Sequence, residues 1–519
     1  MKQSPWFLLT LLSGVFSCTA TEAATTQAPP NIVYILADDL GYGDVHCLNP
    51  EGKIATPNMD RLASEGMRFT DAHSSSAVCT PTRYGILTGR YNWRSRLKSG
   101  VQGGFSPDLI EPGRVTVASF LKEHGYHTAC FGKWHLGFEW ERKPNTPPFG
   151  DNIEKGYEGW NADFSKKFKG GPLRVGFKHF FGIAASLDMV PYTFLEDDHV
   201  IEIPSIDKSF PMTAGREKGH TRKGPAAASF EAEDVLPNIT LRAVDYIQSH
   251  AAATKAGKPF FVYLPLNSPH TPILPSAEWR GKSGISPYAD FVMQTDATLG
   301  AVLKALEETG LKENTVVVMT SDNGCSPAAD FQELAAHGHN PSHVLRGTKA
   351  DIFDGGHRIP FIVRWPGHVT ANSTYKEMIC LNDWFATVAA MIEKPLPAGA
   401  AEDSVNLLPV LLGQTTGPIR KTLVHHSANG SFAIRQGNWK LLLTPDSGGW
   451  SSPKPDSAEL KGLPAVQLYD MNANISESHN VQAEHPEIVA RLTRLLLQEI
   501  GNGSSPKDLP IPNPIAERD

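Results

Sequence analysis

The chain has 519 residues, 40% of them hydrophobic and 20% charged, and a formal net charge of −7. That length and composition fit a globular protein built from one large and one small unit. The acidic balance, with no basic block, excludes a general nucleic-acid binder, so an anionic ligand would need a local cluster of cations.

Residues 1–24 read as a secretory signal peptide: Lys2 precedes the apolar stretch Trp6 to Phe16, and small residues follow up to Ala24. The stretch is too short to span a bilayer, and no later one is long and apolar enough to be transmembrane. Val15-Phe16-Ser17-Cys18 also resembles a bacterial lipoprotein cleavage box with Cys18 lipidated. Phe16 fits that box poorly, so secretion or periplasmic export ranks ahead of a lipid anchor in the outer membrane. The six cysteines, Cys18, Cys47, Cys79, Cys130, Cys325 and Cys380, show no CxxC spacing. This argues against a zinc site or a dense disulfide framework and for buried free thiols.

Thr25 to Pro30 reads as a linker. Asn31 to Ala37 is then a continuous apolar run, as in a strand buried on both faces. Thr128 to Phe131, Phe260 to Leu264 and Thr315 to Met319 are further runs of this kind. Helical segments lie between them: Val115 to His124 stops at Gly125, and Asp296 to Thr309 at Gly310. This alternation predicts an α/β fold, a large and mainly parallel sheet sandwiched by helices. The stretch from Phe138 to Glu233 lacks sustained periodicity and reads as active-site loops and insertions rather than core. Pro, Gly and Ala accumulate from Pro395 to Glu402 and mark a boundary. Beyond it, Phe432–Arg435 and Lys440–Leu443 predict a hairpin and Glu487–Ile500 a helix, together a small α+β unit. The expected domains are 25–400 and 401–519.

Polar residues follow each apolar run: Asp38-Asp39, then Lys133-Trp134-His135, then His270, then Asp322-Asn323. In open α/β sheets ligands bind beyond the carboxyl ends of the strands, so these groups should converge on one crevice. Asp38, Asp39, Asp322 and Asn323 offer only oxygen donors, which suits a hard divalent cation such as Ca²⁺ or Mg²⁺. Either pair alone reads as turn residues, and the combination favours the metal. Three carboxylates exceed the charge of one divalent ion, and Arg83, Lys133, His135, His270 and Lys349 can supply the remainder. Pro81 suits the first turn of a helix, which places the side chain at 79 near a positive helix N-terminus. A buried structural cysteine or a reactive thiolate would both fit that setting.

Cys79-Thr80-Pro81-Thr82-Arg83, followed by Thr88-Gly89-Arg90, resembles the signature of the type I, formylglycine-dependent sulfatases of the alkaline phosphatase superfamily. The arylsulfatase and N-acetylgalactosamine-6-sulfatase branch is the nearest in pattern. The resemblance extends through Asp38 to Asp44, Thr56 to Leu62, Gly132 to His135, Ser268 to His270, Ser321 to Gly324 and Arg346 to Lys349. It also covers Asp354 to Pro360, where the family usually has Glu at the position of Asp354, a departure expected to affect loop packing. The family implies an alkaline-phosphatase-like fold. It also implies that Cys79 is oxidised to formylglycine by a formylglycine-generating or anaerobic sulfatase-maturating enzyme.

Carried over to this chain, the resemblance implies one Ca²⁺ held by Asp38, Asp39, Asp322, Asn323 and an oxygen of residue 79. The hydrated aldehyde attacks sulfur. Arg83 and Lys133 stabilise charge, His270 with Lys349 protonates the leaving oxygen, and His135 takes a proton from the second hydroxyl. The implied substrate is a sulfated saccharide, with 6-sulfated galactose or N-acetylgalactosamine the closest class. Two other readings are a phosphodiesterase or phosphonate monoester hydrolase of the same superfamily, and a non-catalytic relative that binds sulfated glycans. A second set of metal ligands would favour a two-metal phosphatase, and none is evident. Loss of Cys79, a ligand or Lys133 would favour the non-catalytic relative, and none is lost. His337, His339 and His343 read as a substrate subsite or a solvated loop. Trp93 and Arg94 read as packing residues ahead of sugar contacts.

Overall fold

The computed structural model describes residues 1–2, 29–151 and 159–501, so the expected leader and Cys18 lie outside the described residues. Ten strands form the main sheet: β1 (Asn31–Asp38), β2 (Met67–Phe69), β3 (His127–Lys133), β4 (His179–Ile183), β5 (Leu195–Glu196), β6 (His199–Val200), β7 (Phe260–Pro269), β8 (Thr315–Ser321), β9 (Phe361–Arg364) and β10 (Ser373–Tyr375). Their spatial order is β10-β2-β9-β8-β1-β7-β3-β4-β5-β6. The central run β8-β1-β7-β3-β4 is parallel, and β9 and β5 flank it antiparallel. Every residue of β1, β7 and β8 is buried, as parallel strands covered on both faces require.

The helices used below are α1 (Pro57–Ser64), α2 (Cys79–Thr88), α3 (Val117–Glu123), α4 (Val235–Lys255), α5 (Pro287–Glu308), α6 (Trp384–Met391) and α7 (Pro486–Gly501). The predicted stops hold: α3 and α5 end just before Gly125 and Gly310, whose φ angles are +88° and +67°. α5 begins nine residues earlier than the apolar pattern suggests, at Pro287, because the Ser286 side chain accepts a hydrogen bond from Ala289 N and caps it. α4 and α5 pack on β7 and on each other, while α6 sets Trp384 against Tyr34 of β1, ring centroids 5.2 Å apart.

The stretch from 138 to 233 differs from its expectation. It supplies the fifth parallel strand, β4, and buries Trp140, Phe164, Phe168, Phe180 and Phe181 in the main core. Irregularly spaced aromatics pack into a tilted cluster here, so they carry core volume without a periodic signal.

The C-terminal sheet is antiparallel, β11 (Leu423–His426), β12 (Phe432–Gln436), β13 (Trp439–Leu442) and β14 (Gln467–Asp470) in that order. Its expected hairpin closes with Gln436 opposite Trp439, and Gly437 supplies the positive φ (+57°) of the two-residue turn. Leu492 and Leu496 of α7 join Phe432, Ile434, Tyr91 and Trp93 in a second core that joins this sheet to the segment after α2. Trp93 stacks on Tyr91 at 4.1 Å and meets Phe432 edge-on, and Arg94 pairs with Asp403 at 3.0 Å, so both residues pack against neighbouring side chains. A polar seam runs beside this core. Lys440 of β13 donates to Asp354 and Glu477, each at 2.7 Å, and Arg435 of β12 pairs with Asp71 at 2.8 Å. The departure at Asp354 therefore concerns packing between sheets. Replacing Trp93→Ala removes the largest ring of the second core. It is expected to cost about 3–5 kcal/mol of stability, read as a lower urea midpoint.

Candidate active site

The strand ends converge as the apolar runs imply. Asp38 closes β1 and Asp39 follows in the left-handed region at φ +66°, which turns its carboxylate toward the carboxyl end of β8. There Asp322 N donates to Ala37 O at 3.1 Å, and Asp39 N donates to the Asp322 carboxylate at 3.3 Å. Lys133 closes β3 behind Gly132, whose φ is +137°; a Cβ there would lie 1.9 Å from the Pro265 carbonyl oxygen, so only glycine allows the strands to approach. α2 begins at Cys79 after the extended Val78, and all ten of its residues are buried. It crosses the 380s closely at Gly85, where a Cβ would meet Asn382 Oδ1 at 2.3 Å.

Each buried carboxylate has its own cation. Lys133 Nζ donates to Asp38 Oδ2 at 2.6 Å, and Lys349 Nζ donates to Asp39 Oδ2 at 2.9 Å. Arg83 donates to Asp322 Oδ2 through Nε at 3.1 Å and Nη2 at 2.8 Å, and to the Lys133 carbonyl at 2.8 Å. The three acids and three cations cancel. Among the described residues two oxygens in this cluster stay buried without a hydrogen-bond partner, Asp38 Oδ1 and Asn323 Oδ1. Asn323 Nδ2 donates to Asp39 Oδ1 at 2.7 Å, which fixes the amide with its oxygen turned the other way.

An all-oxygen donor set with orphaned lone pairs is what a hard divalent cation satisfies. The carboxylates of Asp38, Asp39 and Asp322 lie within 4.8 Å of one another, as do Asp38, Cys79 and His270. Burial, with Asp38 beside it, pushes Asp322 up to about 7, while Asp38 is held well below the carboxylate range by Lys133, His270 and Arg83 against its own burial.

The two histidines are set oppositely. His135 Nε2 donates to the Gln102 carbonyl at 2.6 Å, leaving Nδ1 as a buried, unpartnered acceptor. Burial, then Lys133 and Arg83, hold His135 well below the ordinary histidine value. His270 Nδ1 donates to the Thr271 carbonyl at 2.5 Å, so Nε2 faces Asp39 Oδ2 at 3.7 Å. Burial and Lys349 work against charge on His270, yet Asp39 and Asp38 raise it above the usual value. One imidazole is therefore set to accept a proton and the other to carry one.

All the residues singled out from sequence as candidates for chemistry or metal binding, Cys79 included, meet here. The histidine loop does not. His339 is buried and bonds Asp44 at 2.8 Å, with Tyr288 OH donating to the same carboxylate at 2.6 Å; His337 is exposed, and His343 stacks loosely on Tyr42. His339 is a strut for the loop after Asp39, neither a subsite nor solvated. Sequence reasoning missed Gln102, whose contribution is a backbone carbonyl and carries no residue-type signal. It also missed Asp351, which accepts from Thr348 N at 2.8 Å and so shapes the turn carrying Lys349. Removing one orphaned oxygen with Asn323→Ala is expected to weaken the binding of an added divalent cation by roughly tenfold or more, measured by calorimetry on the chelator-treated protein.

Comparison with known proteins follows this geometry. The family model described as Sulfatase matches residues 30–393. An N-acetylgalactosamine-6-O-sulfatase of Bacteroides thetaiotaomicron is 34% identical, covering 94% of this chain and 96% of its own. Human arylsulfatase A is 31% identical over 90% of this chain and 87% of its own. A solved Bacteroides thetaiotaomicron structure, described with the metabolism of multiple glycosaminoglycans, superposes with a TM-score of 0.77 at 33% identity, covering 91% of this chain and 99% of that one. With the family model spanning the main sheet and relatives above 30% identity along nearly the whole length, the chain belongs to the sulfatase family and is a sulfuric ester hydrolase.

Proposed function

We propose that the protein removes sulfate from monoesters of carbohydrates, with 6-sulfated N-acetylgalactosamine or galactose as the substrate class, and that Cys79 is the precursor of a formylglycine nucleophile. The opposed settings of His135 and His270 around Cys79 carry this reading: hydrolysis through a hydrated aldehyde needs one group to protonate the leaving oxygen and another to deprotonate the nucleophilic diol. The 6-sulfate assignment is supported by the relative named an N-acetylgalactosamine-6-O-sulfatase.

Asp38, Asp39, Asp322, Asn323 and the oxygen at residue 79 would hold one Ca²⁺, preferred to Mg²⁺ because so many protein oxygens converge. When bound, the ion supplies positive charge against the sulfate oxygens. Because the three acids are already matched by Arg83, Lys133 and Lys349, the surplus charge faces the anionic ester. Lys133 and Arg83 orient residue 79 and its neighbours at the start of α2, where the helix dipole also favours negative charge. His270 Nε2–H, beside Lys349, gives its proton to the departing sugar oxygen. His135, through the free Nδ1, accepts the proton whose loss restores the aldehyde. A thiol or hydroxyl at 79 has no second proton to give and would stall there.

The reading also includes export. Residues 1–24 have the pattern of a leader, and no described helix is long and apolar enough to cross a membrane. A maturating enzyme able to oxidise Cys79 is the implied partner, and residues 25–400 and 401–519 are the proposed units.

Mass spectrometry of the peptide spanning residue 79 in active protein is expected to show the aldehyde or its hydrate. Thiol alone in active protein sinks the mechanism, as does full activity of Cys79→Ala. The role of His270 has a separate signature. His270→Ala should lower kcat/KM for a saccharide sulfate by about 10²–10⁴. It should affect p-nitrophenyl sulfate far less, because that leaving group departs without a proton.

A further inference from the structure

The histidine-rich loop stays outside the reacting centre, yet it touches the turns that carry both partners of one of that centre's ion pairs. Asp39 keeps a left-handed backbone, φ +66°, which a residue with a side chain holds only where its surroundings fix it. The turn after it closes on the buried Asp44 carboxylate. Asp44 Oδ2 accepts from Gly41 N at 2.8 Å and from Tyr288 OH at 2.6 Å, and the same hydroxyl lies 3.3 Å from the Asp39 carbonyl oxygen. Asp44 Oδ1 accepts from His339 Nε2 at 2.8 Å. The other side of the imidazole settles where its proton sits, because His339 Nδ1 accepts from Lys53 N at 3.1 Å.

The loop around His339 reaches both ways. Gly43 N donates to the Pro341 carbonyl at 2.7 Å, and a Cβ at Gly41 would lie 2.3 Å from that oxygen, so the loop and the Asp39 turn are in direct contact. Three residues beyond His339, the Ser342 hydroxyl donates to the Gly347 carbonyl at 2.9 Å, just before Lys349. Lys349 N donates to the Cys325 carbonyl at 2.8 Å, and its Nζ meets the Asp39 carboxylate at 2.7 Å. The three donors to Asp44 are uncharged, so losing one leaves part of a buried carboxylate uncompensated. The turn would then have to open toward water, and Asp39 would move with it.

We infer that His339, acting through Asp44, is a positioning residue for the Asp39–Lys349 pair. It sets where the Asp39 carboxylate stands for the cation and where the Lys349 ammonium stands beside the departing sugar oxygen. The inference rests on the reaction proposed above and adds to it a residue that touches neither substrate nor cation.

The test divides the two bonds of the imidazole. His339→Gln can keep the donor to Asp44 and gives up the acceptor for Lys53 N, and His339→Asn does the reverse. Calorimetry with added Ca²⁺ on chelator-treated protein should show binding weakened about tenfold in His339→Asn, and within about threefold of wild type in His339→Gln. At saturating Ca²⁺, kcat of His339→Asn should stay about tenfold low on a monosulfated N-acetylhexosamine. It should be near wild type on p-nitrophenyl sulfate, whose leaving group needs no proton. Tyr288→Phe removes another donor to Asp44 without touching the histidine loop, and should weaken Ca²⁺ binding by about threefold or more. A merely structural loop would make the two His339 variants fall together. That outcome, or wild-type Ca²⁺ affinity and kcat in both His339→Asn and Tyr288→Phe, overturns the inference. If wild type binds no Ca²⁺, the cation reading fails and the order of kcat values decides. If wild type hydrolyses no sulfate ester, the reaction reading fails and the order of Ca²⁺ affinities decides. A wild type that does neither overturns both.

Discussion

Three carboxylates at or near zero exposure cannot sit within 4.8 Å of one another in a low-dielectric interior unless each is met by a positive group. Much of the architecture serves that requirement. β1 brings Asp38 and Asp39, β8 brings Asp322, β3 brings Lys133 and α2 brings Arg83. The turn before residue 350 brings Lys349. No single element carries a neutral set, so the charges balance only when the parallel sheet is fully assembled. Breaking one pair would leave a desolvated charge, which makes the cluster costly to alter and rigid once formed.

The same field shapes the chemistry. Burial, then Lys133 and Arg83, hold His135 below the usual histidine value, while Asp39 and Asp38 raise His270 above it. Neither histidine has an intrinsic acid or base role; the asymmetry comes from which member of each ion pair lies nearer. Backbone carbonyls complete it, from Gln102 for one ring and Thr271 for the other, by fixing which nitrogen bears the proton. A centre assembled from balanced pairs can thus hold opposite proton affinities around one set of buried carboxylates.

Much of this was legible in the sequence because strands buried on both faces leave uninterrupted apolar runs and functional groups follow where those runs stop. Asp38, Lys133, His270 and Asp322 sit where such runs stop, and β1, β3, β7 and β8 coincide with the runs. What stayed hidden was pairing. Lys133 is 95 residues from Asp38, Arg83 is 239 from Asp322 and Lys349 is 310 from Asp39, separations across which composition carries no signal. The two-residue strands β5 and β6 are too short to show alternation, and the aromatic packing of 138–233 has no period. The histidine-rich loop leaves a subsite and a solvated loop equally open in sequence, because the partner that fixes His339, Asp44, lies 295 residues away.

Backbone hydrogen bonds between the main and C-terminal parts bury the loop that leads into Cys79. Ala77 N donates to the His426 carbonyl, His426 N to Ser75 O, Ala350 N to Ala77 O and Ala428 N to Ala350 O, so the loop leading into Cys79 is stitched to a strand made some 350 residues later. Contacts of such large sequence separation form only after the C-terminal sheet has been made, so this part of the loop is completed late in folding. Once the last sheet docks, the exposure of residue 79 falls to 2%. The burial of the side chain at 79 therefore depends on a sheet far away in sequence, and the finished pocket exists only once that sheet is in place.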